Sequence, residues 1–458
     1  MVAGCANQLE RPIGPKMRSL EAWPDDARHC LRVGSLSDKQ VIEASADHFD
    51  VLVVQGNLAI SAPQGIATWR LDKPIWIDPI TYAFAASPAY LRSSARSANG
   101  GYKKTFRDLA NAFGVPYSTA LDRESELSPQ DFATEEALNS VERVLGWQET
   151  VFAPPEEDLK YGAEVISPVL ITVPFFPLTV TNPASADEPP WLRTNLALID
   201  RAASVRSGER LAVGFLAERD VFEHPSFEAW LQAYADKLRE HRIRHLWWWI
   251  SDHDEVATSL QSATRMLASF RNLGAQGVAV HQAFGGSLSS LALPNGLASV
   301  AHGVNYWESK GWEPIATGGL PTARYFHPAL RERLRVPEAI AVIEHRLEDT
   351  SDFYDHVCSC DICRFVVGDD LAAFGAFGEV NIKTRRVRGG GTAEFDSPTA
   401  EALYKTKCHY LHAKGAEVEL ALESGSEARV HLLNDSAYWA SDLTRTRHLE
   451  RWALALSI

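Results

Sequence analysis

An α/β fold, with eight parallel strands closed into a (β/α)8 barrel, is the fold class that the sequence predicts, and two observations support it. Short apolar runs, several of them β-branched and nearly continuous, recur along the chain, which is typical of parallel strands buried on both faces. Amphipathic segments such as Phe227–Leu238, with apolar residues three and four apart, separate these runs. This alternation favours a barrel, although a doubly wound open sheet would give the same local pattern.

The predicted strands divide the chain into two regions. In chain order, the eight apolar runs are Cys30–Val33, Asp50–Val54, Pro74–Ile77, Pro168–Val173, Arg210–Phe215, His245–Ile250, Gly277–Val280 and Gly303–Trp307. An acidic stretch rich in Ala and Ser, from about residue 93 to 162, interrupts the alternation and is interpreted as an insertion between the third and fourth strands. We therefore predict a barrel over residues 1–345 and a smaller unit with C-terminal helices over 346–458.

Composition and charge narrow the function classes. The 458 residues include 45 Lys and Arg against 59 Asp and Glu, a formal charge of −14, which argues against indiscriminate coating of a polyanion. One local cluster, Lys383–Arg388, is basic, and its Arg385, Arg386 and Arg388 are candidate contacts for nucleic-acid phosphates. No apolar run approaches the roughly 18 residues of a membrane span, and no hydrophobic segment precedes Cys5, so we expect a cytoplasmic protein.

Three cysteines crowded into one turn predict a metal site. Cys358, Cys360 and Cys363 are too close in sequence to pair readily as disulfides, and three thiolates supply most of a tetrahedral zinc site. The fourth ligand has three downstream candidates: Cys408, His409 and His412. A closed site with four protein ligands would be structural, because no position is left for a water molecule.

The catalytic candidates follow from barrel architecture, since the active sites of such barrels lie where the strands end. The candidate residues behind the predicted strand ends are Asn57, Asp78, Phe175, Ser251, Asp252, His281, Gly285, Gly286 and Glu308. The three carboxylates are the catalytic candidates and the other six are substrate-binding candidates. Asp252 has an alternative interpretation, because Asp252 with Glu255 three residues later also matches a helix-capping pattern.

Three stretches resemble the tRNA-guanine transglycosylase superfamily, and most closely its DNA-targeting branch, the DpdA-type 7-deazaguanine transglycosylases. Ala46–Asn57 is similar to the family's second strand with its Gly-Asn turn, and Trp69–Asp78 is similar to the segment that carries the catalytic aspartate. Cys358–Cys363 with His409–Glu417 is similar to the zinc site and the helix that follows it. The resemblance implies a structural Zn²⁺ on Cys358, Cys360, Cys363 and His409.

The departures from the family pattern lie in the base pocket. Pro79–Thr81 replaces the family's Ser-Gly-Gly, Val173–Phe176 lacks its base-binding carboxylate, and Gly214–Ala217 replaces its Gln-Gly. Glu308 aligns with the nucleophilic aspartate and is one methylene longer. This rebuilt pocket is the reason for preferring the DNA-acting branch.

The resemblance implies an enzyme that replaces guanine in DNA with a 7-deazaguanine such as preQ0. A carboxylate would trap C1′ covalently while a second carboxyl group moves the proton. The resemblance assigns the attack to Glu308 and the proton to Asp78, with Asp252 as the rival nucleophile. Expected partners are DNA, the 7-deazapurine base and accessory DNA-modification proteins. The alternatives are a tRNA-acting enzyme and a noncatalytic, zinc-stabilised nucleic-acid-binding subunit.

Overall fold

The computed structural model describes most of the chain. The described residues are 23–67, 69, 71–92, 101–153, 166–180, 187–304, 308, 310–314, 322–386, 390–425, 427–440 and 443–458. The helices within these ranges leave no candidate for a membrane span, because none combines sufficient length with sufficient apolar character.

Eight parallel strands form a sheet that is nearly closed as a barrel. They are β1 (His29–Val33), β2 (Val51–Gln55), β3 (Ile75–Asp78), β4 (Ile171–Thr172), β5 (Leu211–Ala217), β6 (His245–Ile250), β7 (Ala279–Gln282) and β8 (Leu297–Gly303). Their order around the sheet is β3-β2-β1-β8-β7-β6-β5-β4. A parallel bridge between Trp76 and Leu170 brings β3 and β4 together, and the amide of Val169 donates to the carbonyl of Ile75 at 2.8 Å. The predicted fold class is confirmed.

The eighth strand lies earlier in the chain than the sequence predicted. It spans Leu297–Gly303, whereas the predicted run begins at Gly303; residues 305–307 of that run lie outside the described residues. The apolar run in this strand is interrupted by Ser299, which faces the barrel interior and contacts Cys30 and His281 there. A small polar residue in the interior removed the apolar signal on which the prediction relied.

Helices surround the barrel and fill the long insertion. In the barrel they are Lys39–Ala44, Gly56–Ser61, Pro63–Ala67, Pro88–Leu91, Leu192–Val205, Arg219–Glu223, Phe227–Glu240, Leu260–Ala275 and Ser287–Leu291. The insertion between β3 and β4 contains Lys104–Phe113, Tyr117–Asp122, Glu135–Leu138 and Ser140–Thr150. Its apolar residues, among them Phe106 and Leu109, pack into the same hydrophobic cluster as the barrel interior.

The C-terminal part has its own hydrophobic cluster and two β-hairpins. The hairpins are β9 (Arg324–His327) with β10 (Glu332–Arg335), and β11 (Val380–Arg386) with β12 (Thr392–Pro398). The helices are Val336–Arg346, Thr350–His356, Asp361–Val367, Ala400–Ser424, Glu427–Tyr438 and Leu443–Ala455. The cluster extends from Ala323 to Trp439, so the first hairpin packs with the cysteine-rich segment although we assigned it to the barrel.

Candidate functional site

The four residues implied as metal ligands come together in space. The Sγ atoms of Cys358, Cys360 and Cys363 lie 3.8, 3.4 and 3.3 Å from Nδ1 of His409. Tetrahedral zinc, with Zn–S of about 2.3 Å and Zn–N of about 2.0–2.1 Å, requires S···N distances of about 3.6 Å. The observed distances match that geometry, so this cluster could hold a metal ion.

The imidazole of His409 is oriented for coordination by its other nitrogen. Nε2 of His409 lies 2.7 Å from the carbonyl oxygen of Phe326 and donates to it, which leaves Nδ1 facing the three sulfurs. The ring also stacks on Tyr325, with centroids 4.2 Å apart and planes inclined by 7°. Such outer contacts fix the tautomer and orientation of a ligating histidine.

The other two candidates for the fourth ligand lie elsewhere. Cys408 is buried in a hydrophobic cluster with residues of β1 and β2. His412 stacks on His48, with ring centroids 3.7 Å apart. All three candidates belong to the helix Ala400–Ser424, whose successive residues point in different directions, so only one of them faces the cysteines.

Asp78 lies at the carboxyl end of β3 and forms a buried ion pair. Nη2 of Arg32, on β1, lies 2.7 Å from Oδ2 of Asp78, and both side chains are buried. The hydroxyl of Tyr82 donates to the same oxygen at 3.1 Å, and the amide of Ile80 donates to Oδ1 at 3.0 Å. Three donors thus hold the carboxylate in one orientation inside the barrel.

Arg32 also joins Asp78 to an aromatic lining. Its guanidinium carbon lies 4.1 Å from the ring centroid of Phe284 and 5.4 Å from that of Trp247. Nε and Nη1 of Arg32 are buried and have no hydrogen-bond partner within the described part of the chain. We call this part of the barrel, formed by Arg32, Asp78, Tyr82, Phe284 and Lys310, the mouth.

Sequence reasoning missed Arg32, Tyr82 and Lys310. One signal was available for Arg32, because a charged residue inside the apolar run Cys30–Val33 must be paired if the run is a buried strand. Tyr82 and Lys310 lie in connecting segments and carried no comparable signal.

Three predicted substrate-binding residues lie around the strand ends. Phe175 is buried with its ring 5.3 Å from that of Tyr82, which places it beside the mouth. Oγ of Ser251 accepts a hydrogen bond from the amide of Trp312 at 3.2 Å. Asn57 is the second residue of the helix Gly56–Ser61, which follows β2 directly. Its buried Oδ1 has no hydrogen-bond partner among the described residues.

Asp252, the rival nucleophile, follows β6 in a left-handed conformation with φ of 54°. Its side chain is exposed, and its amide donates to the carbonyl of Lys310 at 3.0 Å. The capping alternative is wrong, because the next helix begins at Leu260 with Ser259 as its N-cap. Asp252 therefore lies at the rim of the mouth, next to the segment that carries Lys310.

His281, Gly285 and Gly286 make contacts within the protein. His281 is buried between Oγ of Ser299 at 2.8 Å and Nδ1 of His245 at 3.0 Å, near the amino end of β6. A Cβ on Gly285 would come within 2.4 Å of Val300, and one on Gly286 within 2.7 Å of the carboxylate of Glu255. Close packing explains both glycines in the described structure.

Glu308 lies beyond β8 and has partners different from those of Asp78. Its Oε1 accepts from the hydroxyl of Tyr410 at 2.9 Å and pairs with Lys414 at 3.2 Å and Arg333 at 3.5 Å. Burial raises the pKa of Glu308, but these cations and the tyrosine outweigh it, and the net pKa is lowered. Glu308 and Asp78 share none of these partners, so the two carboxylates belong to separate groups of side chains.

The predicted nucleic-acid residues lie on or beside the hairpin of β11 and β12. Arg385 is exposed on β11, as is Lys383. Arg386 ends the strand, but its side chain lies outside the described part, as does the whole of Arg388.

Comparison of the chain with protein-family models and with curated proteins finds no match.

Proposed function

We propose that this chain is a base-exchange transglycosylase that replaces guanine in DNA with a 7-deazaguanine base such as preQ0. The observation that carries the proposal is the buried carboxylate of Asp78 at the barrel mouth, paired with Arg32 and hydrogen-bonded by Tyr82. Cleavage of an N-glycosidic bond passes through an oxocarbenium-like transition state, which an anion at this position would stabilise.

The hydrogen bonds of Asp78 support a role as the nucleophile. Arg32, Tyr82 and the amide of Ile80 all donate to its two oxygens and would hold the carboxylate in one orientation for attack on C1′. This reverses the roles that the sequence resemblance implied, in which Glu308 attacks. In the first half-reaction a bond forms between C1′ and the carboxylate oxygen, while the C1′–N9 bond breaks and guanine leaves with a proton.

We propose further that the cluster of Cys358, Cys360, Cys363 and His409 holds a structural Zn²⁺. Thiolate and imidazole ligands at tetrahedral distances suit zinc, and a complete set of four protein ligands leaves no catalytic position. Zinc would supply folding free energy to the C-terminal part. The hairpin of β11 and β12 would then present Lys383 and Arg385 to the phosphates of the polymer.

The second candidate is a noncatalytic zinc-stabilised nucleic-acid-binding subunit. The contacts of Glu308 favour it, because pairing with Lys414 and Arg333 gives this carboxylate a structural role between the barrel and the helix Ala400–Ser424. If Glu308 is the only counterpart of the family's nucleophile, its structural role leaves the mouth without a nucleophile for attack on C1′.

Labelled base incorporation and adduct trapping test the proposal together. Purified protein is incubated with labelled preQ0 and either guanine-containing duplex DNA or tRNA, and covalent protein–DNA adducts are examined on denaturing gels. We expect incorporation into DNA, and loss of the adduct in Asp78→Asn, because an amide is not an anionic nucleophile.

Parallel variants separate the alternatives. Glu308→Gln and Asp252→Asn are expected to retain the adduct, and loss in either one alone moves the nucleophile to that residue. Incorporation only into tRNA would assign the tRNA-acting alternative. Binding of DNA without incorporation into either polymer would favour the noncatalytic subunit.

A further inference from the structure

Residues 310–312, which lie beyond β8 in the chain, are anchored beside the mouth by hydrogen bonds. The carbonyl of Lys310 accepts from the amide of Asp252 and from Nε1 of Trp249, each at 3.0 Å. Trp312 donates through its amide to Ser251 at 3.2 Å and through Nε1 to Glu218 at 3.1 Å. The backbone of Lys310 is therefore fixed against the ends of β5 and β6.

The side chain of Lys310 reaches the same aromatic ring as Arg32. Nζ of Lys310 lies 5.4 Å from the ring centroid of Phe284, and the guanidinium carbon of Arg32 lies 4.1 Å from it. Arg32 in turn is paired with Asp78 at 2.7 Å. One amine and one guanidinium thus meet at a single phenyl ring, and the guanidinium carries the carboxylate of Asp78 as its ion-pair partner.

This environment gives Lys310 an unusual acidity. Burial and then the charge of Arg32 lower the pKa of Lys310 to about 8, while the charge of Asp78 opposes the shift. An acid–base group is most effective when its pKa lies near the working pH. Lys310 can therefore both give and take a proton near neutrality.

The other ionisable groups around the mouth suit this role less well. The guanidinium of Arg32 offers only donors, and the carboxylate of Asp78 already accepts hydrogen bonds from Arg32, Ile80 and Tyr82. Burial and Asp78 raise the pKa of Tyr82 well above its usual range. Burial raises the pKa of Glu218, whose carboxylate accepts a hydrogen bond from Nε1 of Trp312. The side chain of Asp252 is exposed, and its backbone amide donates to the carbonyl of Lys310.

We propose that Lys310 is the proton-transfer residue of the mouth, an inference that rests on the proposed base exchange. As Asp78 attacks C1′ and the electron pair of the C1′–N9 bond moves to the base, the Lys310 ammonium gives a proton to the departing guanine. The resulting amine then accepts the N9 proton of the incoming 7-deazaguanine. N9 attacks C1′, the ester to Asp78 breaks, and Lys310 is again an ammonium.

Variants at Lys310 test this through the pH profile of base exchange. Lys310→Met is expected to lower exchange by about 10²–10⁴-fold, as is typical for loss of a general acid–base group. Lys310→Arg keeps the charge but does not release the proton, so it should be slowed comparably. For the wild type, kcat/KM for DNA should fall as the pH rises through about 8, because the acid form is lost. Lys73→Met, at the opposite end of the barrel before β3, is the matched control.

Small primary amines distinguish a chemical role from a structural one. Ethylamine should partly restore exchange in Lys310→Ala, with a rescue that follows the pKa of the added amine. Lys310→Arg with wild-type exchange, or a pH profile unchanged in Lys310→Met, would overturn the inference while leaving the base exchange itself intact.

A measurement without substrate separates this inference from the proposed function. Competitive acetylation of the intact protein over a pH series, read by mass spectrometry, should give Lys310 a pKa near 8. An ordinary lysine value of about 10.4 would overturn the inference in an active enzyme. A wild type that exchanges no base in DNA or tRNA would overturn the proposed function and this inference with it.

Discussion

At the scale of single residues, the ion pair of Arg32 and Asp78 is the unusual feature of this barrel. Both side chains are buried, and charges taken out of water are tolerated only when they are paired and hydrogen-bonded. Arg32 gains further contact from Phe284 and Trp247 through its guanidinium face. The pair therefore contributes to the stability of the barrel and also fixes the position of Asp78, the candidate nucleophile.

Removal of one partner should be more costly than removal of both charges. Arg32→Met leaves the Asp78 carboxylate buried without its cation, and we expect the free energy of unfolding to fall by about 3–5 kcal/mol. The double variant Arg32→Met with Asp78→Asn should recover a large part of that loss. Urea denaturation of the wild type, both single variants and the double variant measures the coupling. A single-variant loss below about 1 kcal/mol would contradict a desolvated pair.

At the scale of elements, the helix Ala400–Ser424 connects the candidate metal centre to the barrel. It contributes His409 to the cysteine cluster, while Tyr410 and Lys414 contact Glu308 beyond β8. Lys407, on the same helix, pairs with the buried Asp38 near β1 at 2.7 Å. Metal binding at one face of the helix is therefore expected to support the contacts that its other faces make with the barrel.

Loss of one cysteine ligand should release the metal and loosen this part of the fold together. Cys360→Ser should abolish stoichiometric zinc and lower the melting temperature, because structural metal binding is itself folding free energy. Cys408→Ser is the matched control, since Cys408 is buried outside the cluster, and it should retain one zinc per chain. Elemental analysis and thermal unfolding measure the two effects. Folded wild-type protein free of any metal would refute the assignment.

At the scale of the whole molecule, the charge distribution decides how a polyanion can bind. The chain carries a formal charge of −14, so its net charge opposes the approach of a polyanion, and binding has to use a local basic patch. The exposed strand β11 presents Lys383 and Arg385 on a two-stranded hairpin that pairs antiparallel with β12. Binding through such a local patch is expected to depend steeply on salt and weakly on sequence.

Charge reversal on this hairpin should weaken binding to every DNA sequence alike. The double variant Lys383→Glu with Arg385→Glu should reduce the slope of log K against log[salt] by about 0.9 for each phosphate contact that is lost. Arg239→Glu with Arg242→Glu is the control, because both arginines are exposed near the amino end of β6, away from the mouth. Fluorescence anisotropy with two unrelated duplexes measures the effect. An unchanged slope would show that the hairpin does not contact phosphates.

The sequence by itself determined the alternation of strands and helices and three of the four candidate metal ligands. Seven of the predicted apolar runs coincide with strands, because a strand buried on both faces requires consecutive apolar residues. The spacing of Cys358, Cys360 and Cys363 alone predicts a metal site. Spacing alone left three candidates for the fourth ligand, and the family resemblance implied His409. The tertiary structure brings His409 to the cysteines, because helix phase turns Cys408 and His412 elsewhere. It alone also brought Arg32 and Lys310 to Asp78, and gave Glu308 a different set of partners. Those contacts join residues far apart in the chain, and closure of the barrel, which no local pattern encodes, is what creates them.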